Sequence, residues 1–205
     1  MSRITKDPQT RIAEILDTAE FLFNERGYHQ TAISDIVKEI GVAQGTFYYY
    51  FKSKEEVLEA IVVRYLAKVI AEIEVLSANE LVQPPEKISW VISKAFEGIH
   101  TNEGLLFEYL FNDEHLHILD KVRRQGTKAF TPILLRIIEE GIEQGYFKVP
   151  YLSDTVDFIM AIVGCLHEAV CKKYSPEQMR CRANIAVSLL EKALGMTEGK
   201  LVLSV

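Results

Sequence analysis

Cysteine and proline are scarce in this sequence. The few cysteines argue against a disulfide-stabilised protein, and the few prolines are compatible with long helices. The 205 residues include three Cys, an odd number that argues against a disulfide framework and favours reduced thiols in a cytoplasmic protein. Six Pro and eleven Gly lie mostly between periodic apolar runs, and no alternating strand pattern of useful length is found. We therefore expect an all-α chain in the cytoplasm.

Long hydrophobic segments are also missing. The N-terminus has no apolar stretch behind its first polar residues, so we expect no signal peptide. The longest apolar run, residues 158–166, is far short of the ~20 residues that a bilayer-spanning helix needs. The sequence therefore predicts no association with a membrane.

An excess of positive charge, which is common in nucleic-acid-binding proteins, is absent as well. The net charge is −6, and residues 1–56 contain seven basic residues against nine acidic ones. Bulk charge therefore does not indicate a nucleic-acid partner. Any such function depends on where single charges lie, such as Lys52 and Lys54, or Arg3 and Lys6 on the N-terminal arm.

Motifs for catalysis are few. No Ser/His/Asp set, phosphate-binding Gly loop or Cys-x-x-Cys occurs. Two Glu-x-x-His pairs, Glu97 with His100 and Glu114 with His117, have the spacing used in di-iron helical bundles. The helical pattern is broken between them, so chance is the better reading. A di-metal oxidase is the alternative function, and we expect no enzyme activity, no metal site and no cofactor.

The most informative stretch runs from Thr31 to Glu56 and divides into a short helix, a tight turn, a second short helix and the start of a third. Thr31 is placed to cap the first helix. Gly41 ends it, because glycine takes a left-handed conformation without steric cost. One apolar stripe at helical spacing predicts that this helix packs by a single face: Ile33, Ile36, Val37 and Ile40.

The second helix of this stretch carries aromatic residues on both faces. Phe47 and Phe51 suit an inward face, and Tyr50 does so in part. The other face carries Gln44, Gly45, Thr46, Tyr48 and Tyr49. Ser53, with Glu56 three residues later, forms a capping box that opens the third helix. Together these features predict a helix-turn-helix that reads DNA.

These residues resemble the N-terminal DNA-binding domain of the TetR family of bacterial transcriptional repressors, over the segment from Ile12 to Val57. One departure is Tyr50, which stands where the family often has His and still offers a hydroxyl to phosphate. The matching stretches are Phe23-Asn24-Glu25-Arg26-Gly27-Tyr28, Thr31, Ser34-Asp35-Ile36-Val37, Gly41-Val42, residues 45–51 and residues 52–56.

The resemblance implies an N-terminal three-helix domain that binds DNA and a C-terminal helical domain that binds an effector and dimerises. We place the first at residues 1–52 and the second at residues 53–205. It further implies a repressor of transcription that a small-molecule effector releases from its operator.

Major-groove recognition needs small or polar side chains at the leading end of the helix. Gln44 can pair bidentately with adenine, Ala43 offers a methyl group to thymine, and Gly45 permits close approach. The full set of expected DNA contacts, most of them suited to phosphate, is Thr31, Ala43, Gln44, Gly45, Thr46, Tyr48, Tyr49, Tyr50, Lys52 and Lys54.

The helical pattern continues to residue 195. Asp7-Pro8 predicts the start of the first helix, and a fourth helix runs from Ser53 past residue 70. Further helices are expected at about 86–100, 115–128 and 153–172. Another should begin at Thr131-Pro132, and a last one at the capping box Ser175-Pro176-Glu177-Gln178. We expect residues 196–205 to form a loosely held tail.

One helix contacts few base pairs, so a palindromic operator and a homodimer are expected. Residues 158–166 are apolar on every face, which suits either a subunit interface or a monomer core. Resemblance favours a four-helix dimer interface, with Ile162, Cys165, Leu166, Ile185, Val187 and Leu189 as candidates.

The resemblance also implies a ligand pocket in the C-terminal domain. Aromatic residues on helices more often belong to an ordinary core, so each is a candidate only. The candidates for the pocket are Trp90, Phe96, His100, Phe107, Tyr109, Phe111, Phe130 and Phe158.

Overall fold

The computed structural model describes residues 7–100 and 116–204, which form eight helices and no strand. The all-α expectation is confirmed. The helices are α1 (Pro8–Arg26), α2 (Ile33–Ile40), α3 (Gln44–Tyr50), α4 (Lys54–Ser77), α5 (Pro84–His100), α6 (Leu116–Glu143), α7 (Leu152–Cys171) and α8 (Pro176–Ala193). None of the helices in these two ranges combines the length and apolarity needed to cross a membrane. The break in the helical pattern that we expected between the two Glu-x-x-His pairs lies outside the described residues.

The described chain divides into two compact units, residues 7–66 with 116–119 and residues 67–100 with 120–204. Helices α4 and α6 each contribute residues to both units. The functional boundary expected at residue 52 lies just before α4, and it stays a prediction.

Helices α1 to α3 pack around an apolar core in the first unit. The Asp7 carboxylate accepts hydrogen bonds from the Gln9 and Thr10 N–H groups, so α1 begins where Asp-Pro predicts. Gly41 ends α2 at φ 75°, a left-handed conformation as expected. The core side chains of these helices are Ile15, Leu16, Ala19, Leu22, Phe23, Ile36, Val37 and Phe47.

The cap of α2 differs from the prediction. Ala32, not Thr31, is the capping residue, and the Asp35 carboxylate accepts a hydrogen bond from the Ala32 N–H at 2.9 Å. The Thr31 side chain is buried, and its hydroxyl faces the Leu22 and Gly27 carbonyl oxygens at 3.2 and 2.9 Å. Thr is a common capping residue, which is why we expected it to cap α2. The carbonyl groups at the end of α1 also need a hydrogen-bond donor, and the Thr31 hydroxyl serves them instead.

Helix α6 corrects a second prediction. It runs unbroken from Leu116 to Glu143 with Pro132 inside it, whereas we expected separate helices on either side of Thr131-Pro132. An interior Pro costs about 3 kcal/mol. That cost is offset because four buried side chains follow it, each contributing ~1.5–3 kcal/mol. They are Ile133, Leu134, Ile137 and Ile138.

Helices α7 and α8 pack together in the second unit. Ser175 accepts a hydrogen bond from the Gln178 N–H, and Gln178 accepts one from the Ser175 N–H, so the predicted capping box is confirmed. The buried faces follow helical spacing and consist of Val156, Ile159, Val163, Leu166, Ala169, Ala183, Ala186, Leu190 and Leu194.

The C-terminal segment is not loose, contrary to expectation. Glu191 is buried, and its Oε1 atom accepts hydrogen bonds from the Lys200 and Leu201 N–H groups at 2.7 and 2.9 Å. The Val202 and Ser204 N–H groups donate to the hydroxyls of Ser89 and Ser93 on α5. Polar side chains one helical turn apart therefore hold the segment, a pattern that apolar periodicity does not reveal.

Candidate nucleic-acid interface

Two aromatic side chains hold α3 in place. Phe47 and Phe51 are buried as predicted, with ring centroids 6.1 Å apart. They lie four residues apart and therefore on one face of the helix. With that face inside, the opposite face of α3 points to solvent.

The outward face of α3 is polar and aromatic. Ala43, Gln44 and Gly45 are exposed at its N-terminal end, and Thr46 is half-buried. Tyr48 is 51% exposed and Tyr49 79% exposed. A large aromatic surface left open to water usually marks a binding site. Tyr50 is half-buried, and its ring lies edge-on to Tyr49 with centroids 4.9 Å apart.

Gly45 has no role in the packing of the free protein. A Cβ atom built there would meet no heavy atom within 4 Å, and its φ is not positive. Glycine in a helix costs ~0.5–1 kcal/mol relative to alanine. Gly45 therefore destabilises the helix, and no neighbouring atom in the free protein requires glycine at this position.

The two lysines that follow α3 lie in different environments. Lys52 is exposed, and its backbone N–H donates to the Glu56 carboxylate at 2.5 Å. Lys54 is half-buried, and its ammonium group donates to the Tyr28 and Thr31 carbonyl oxygens at 2.6 and 2.9 Å. Burial lowers the pKa of Lys54. Thr31 and Lys54, both among the ten expected DNA contacts, therefore have side chains that donate to backbone carbonyl oxygens of the protein itself.

The two Glu-x-x-His pairs are described at one of their four side chains. Only the His117 side chain can be followed, and its Nε2 atom lies 3.3 Å from Glu55 Oε1 on α4. The side chains of Glu97, His100 and Glu114 lie outside the described residues. Among the side chains that the structure does describe, no three His, Cys, Asp or Glu residues are grouped so as to hold a metal ion.

The candidate dimer residues separate into two groups. Leu166 is buried within its own protomer, because it continues the inner face of α7. Cys165, Ile185 and Leu189 are exposed, while Ile162 and Val187 are half-buried. Phe158, placed among the pocket candidates, is 68% exposed on the same outer face of α7 as Cys165. The protomer therefore has an outward apolar surface on α7 and α8.

The remaining pocket candidates are only partly described. Phe96 and Phe130 are buried, and Trp90 is half-exposed. The side chains of His100, Phe107, Tyr109 and Phe111 lie outside the described residues.

His167 was not among the residues singled out for the pocket, although helical spacing from Val163 could have found it. Its ring stacks on Phe96 with centroids 4.3 Å apart, and its Nε2 atom lies 3.2 Å from the Ala95 carbonyl oxygen. Burial lowers the pKa of His167, while the Ala95 and Val163 carbonyl groups oppose this shift.

Comparisons with known proteins identify the family. Residues 15–61 match the model for bacterial regulatory proteins of the tetR family. The fatty acid metabolism regulator protein of Bacillus subtilis is 33% identical over 146 residues, which cover 70% of this chain and 74% of that protein. The transcriptional repressor KstR2 of Mycobacterium tuberculosis is 25% identical over 152 residues, 72% of this chain and 74% of that protein.

The fold agrees over a longer span. The crystal structure of the transcriptional regulator FadR from Bacillus subtilis with stearoyl-CoA matches with a TM-score of 0.61 and 26% identity. The match covers 91% of this chain and 99% of that one. The chain belongs to the tetR family of bacterial regulatory proteins.

Proposed function

We propose that this protein is a transcriptional repressor that binds a palindromic operator as a homodimer and is released by a small-molecule effector. The observation that carries this function is the outward face of α3. Its Gln44, Tyr48 and Tyr49 side chains are exposed, while Phe47 and Phe51 hold the helix from inside. A short helix presented in this way suits entry into the major groove.

Within this interface the roles divide by chemistry. Gln44 is a donor and acceptor pair for adenine, and Ala43 offers a methyl group to thymine. Thr46, Tyr48, Tyr50 and Lys52 suit phosphate contacts that position the helix without reading sequence. Tyr49, the most exposed of the three tyrosines, extends this surface.

The outward apolar surface of α7 and α8 supports the homodimer. Phe158, Ile185 and Leu189 are each at least half-exposed in the protomer, and a soluble monomer rarely leaves such residues together in water. A second copy that covers this surface by two-fold symmetry supplies the second reading head. The half-sites then lie about one DNA turn apart, ~34–36 Å.

For the effector we propose a long-chain fatty acyl-CoA. Support comes from two Bacillus subtilis proteins to which this chain is similar. One is named a fatty acid metabolism regulator protein, and the other is the transcriptional regulator FadR, whose crystal structure contains stearoyl-CoA. An effector shifts the equilibrium only as far as its affinity differs between the DNA-bound and released states. We expect the protein to act in the cytoplasm, where both DNA and acyl-CoA occur.

The test combines DNA selection with ligand titration. DNA fragments retained by the purified protein are sequenced, and the best fragment is then titrated with stearoyl-CoA, stearate or CoA alone. We expect stearoyl-CoA to release the DNA and the two fragments of the ligand to act far more weakly. Retention of DNA with no response to acyl-CoA would reject the effector class, and failure to retain any DNA would reject the regulator.

The oxidase alternative has no support. His117 pairs with Glu55, and the relatives found by comparison are transcriptional regulators. Metal analysis of the purified protein separates the two functions, because an oxidase requires near-stoichiometric iron or manganese.

A further inference from the structure

The loop between α1 and α2 is held from both sides by side chains that sequence reasoning placed on the DNA. Residues 27–32 form this loop, with Gly27 at φ 88° after α1. On one side, the Thr31 hydroxyl faces the Leu22 and Gly27 carbonyl oxygens of α1. On the other side, the Lys54 ammonium group reaches the loop from the first residue of α4.

The Lys54 ammonium group is well satisfied where it lies. Two of its three N–H donors face the Tyr28 and Thr31 carbonyl oxygens at 2.6 and 2.9 Å. Its charge also lies 4.2 Å from the centre of the Tyr28 ring, within the range of a cation–π contact. Tyr28 and Thr31 are the buried residues of this loop, and backbone carbonyl groups of buried residues need hydrogen-bond donors. The Lys54 ammonium group supplies donors to both.

The Tyr28 ring is itself fixed. It is 5% exposed and packs edge-on against Phe23 of α1, with centroids 5.0 Å apart. Lys54 therefore joins the first turn of α4 to the end of α1 and the start of α2. Helix α3 lies between these points in the sequence and must be held at a defined angle to read DNA.

From this geometry we propose that Lys54 is a positioning residue. It fixes the α1–α2 loop to the start of α4 and does not contact a DNA phosphate. To reach a phosphate, the ammonium group would have to leave two carbonyl oxygens and an aromatic face. Lys52, two residues earlier and exposed, keeps its charge available for DNA. The proposal rests on the proposed DNA-binding function and deepens it.

The salt dependence of DNA binding separates the two roles. Each lost phosphate contact reduces the slope of log K against log[salt] by about 0.9 for duplex DNA. Lys52→Met and Lys54→Met remove the same charge two residues apart and keep the aliphatic stem. We expect Lys52→Met to lower the slope by about 0.9 per protomer. We expect Lys54→Met to weaken binding roughly tenfold with the wild-type slope, because a positioning contact is lost.

A second measurement uses the wild-type protein and does not depend on the variant folding. Reductive methylation followed by mass spectrometry compares Lys52 and Lys54 with and without a mixed-sequence DNA duplex long enough for two half-sites. We expect Lys54 to react slowly in the free protein and to change little on adding DNA. We expect Lys52 to react quickly and to be protected by DNA.

The proposal is overturned if Lys54→Met lowers the salt slope as Lys52→Met does, or if Lys54 reacts quickly until DNA protects it. Either result requires that the wild-type protein binds the duplex. A wild-type protein that does not bind DNA would instead reject the proposed function, so the two failures are distinguishable.

Discussion

Substitution of Gly45 by alanine tests whether the face of α3 is shaped for DNA and not for folding. Gly45 lies in the first turn of α3 and is exposed. An added Cβ atom meets no heavy atom within 4 Å in the free protein. The change therefore introduces no clash and removes the conformational freedom that glycine has in the unfolded chain.

The expected effect on stability follows from these facts. Alanine in place of a helical glycine stabilises by ~0.5–1 kcal/mol. For a chain of this length, that corresponds to an increase of about 1–4 °C in the midpoint of thermal unfolding. Calorimetry of the purified protein measures this shift.

The expected effect on DNA binding has the opposite sign. If the backbone at Gly45 approaches the DNA closely, the new methyl group separates the two surfaces. We expect a loss of at least tenfold in operator affinity, which is ~1.4 kcal/mol. A more stable protein that binds DNA worse is a combination that folding defects do not produce. Operator binding equal to the wild type would refute the reasoning about close approach.

Gly41→Ala is the matched control. A Cβ atom at Gly41 also meets no heavy atom within 4 Å, but the residue has φ 75°. Alanine in that conformation costs ~1–2 kcal/mol. We therefore expect Gly41→Ala to lower the midpoint of thermal unfolding, whereas Gly45→Ala raises it. Comparing the two variants separates the effect of backbone strain from the effect of contact with DNA.

Three further predictions concern other parts of the molecule. Gln44→Ala should relax base preference at one operator position with little change in thermal stability; an unchanged preference in a binding-site selection rejects the adenine contact. Gly164→Leu, on the outer face of α7 where a Cβ atom meets nothing within 4 Å, should leave the protomer folded but shift gel filtration from dimer to monomer. Persistence of the dimer would place the interface elsewhere. Glu191→Ala should lower the free energy of unfolding by ~2–3 kcal/mol and open the C-terminal segment to carboxypeptidase, since buried backbone N–H groups lose their acceptor.

The Glu191 contact also has a pH dependence with a defined sign. Burial acts to raise the pKa of Glu191, but hydrogen bonds from the Leu201, Gly199 and Lys200 N–H groups outweigh it, so the pKa lies below its ordinary value. Its contribution to stability is therefore present at neutral pH and is lost as the pH falls through the folded-state pKa. We expect the wild type to lose stability relative to Glu191→Gln as the pH falls through this lowered pKa, and denaturant unfolding at a series of acidic pH values measures the difference.

The sequence predicted those parts of the structure that depend on local periodicity and capping. Apolar spacing and the Gly41 turn gave α2, and the alternation of Phe47 and Phe51 with outward tyrosines gave the orientation of α3. These patterns are local because a helix buries one face whatever its partner is.

Features that depend on contacts between distant residues were not predictable. Lys54 lies 26 residues from Tyr28, and no spacing rule joins an ammonium group to a carbonyl oxygen across that separation. Thr31 was assigned by its chemistry to a cap, whereas tertiary packing directs its hydroxyl to α1. The same holds for Ser89, whose hydroxyl accepts a hydrogen bond from the Val202 N–H group 113 residues away. Polar contacts between residues far apart in the sequence follow no spacing rule.

The most direct test of the regulator is selection from a random pool of duplex DNA with the purified protein, combined with its mass in solution. We expect enriched sites to be inverted repeats whose half-sites lie about one helical turn apart, bound by a dimer. No enrichment, or binding by a single protomer to a site without symmetry, would contradict the conclusion that two copies of α3 read an operator.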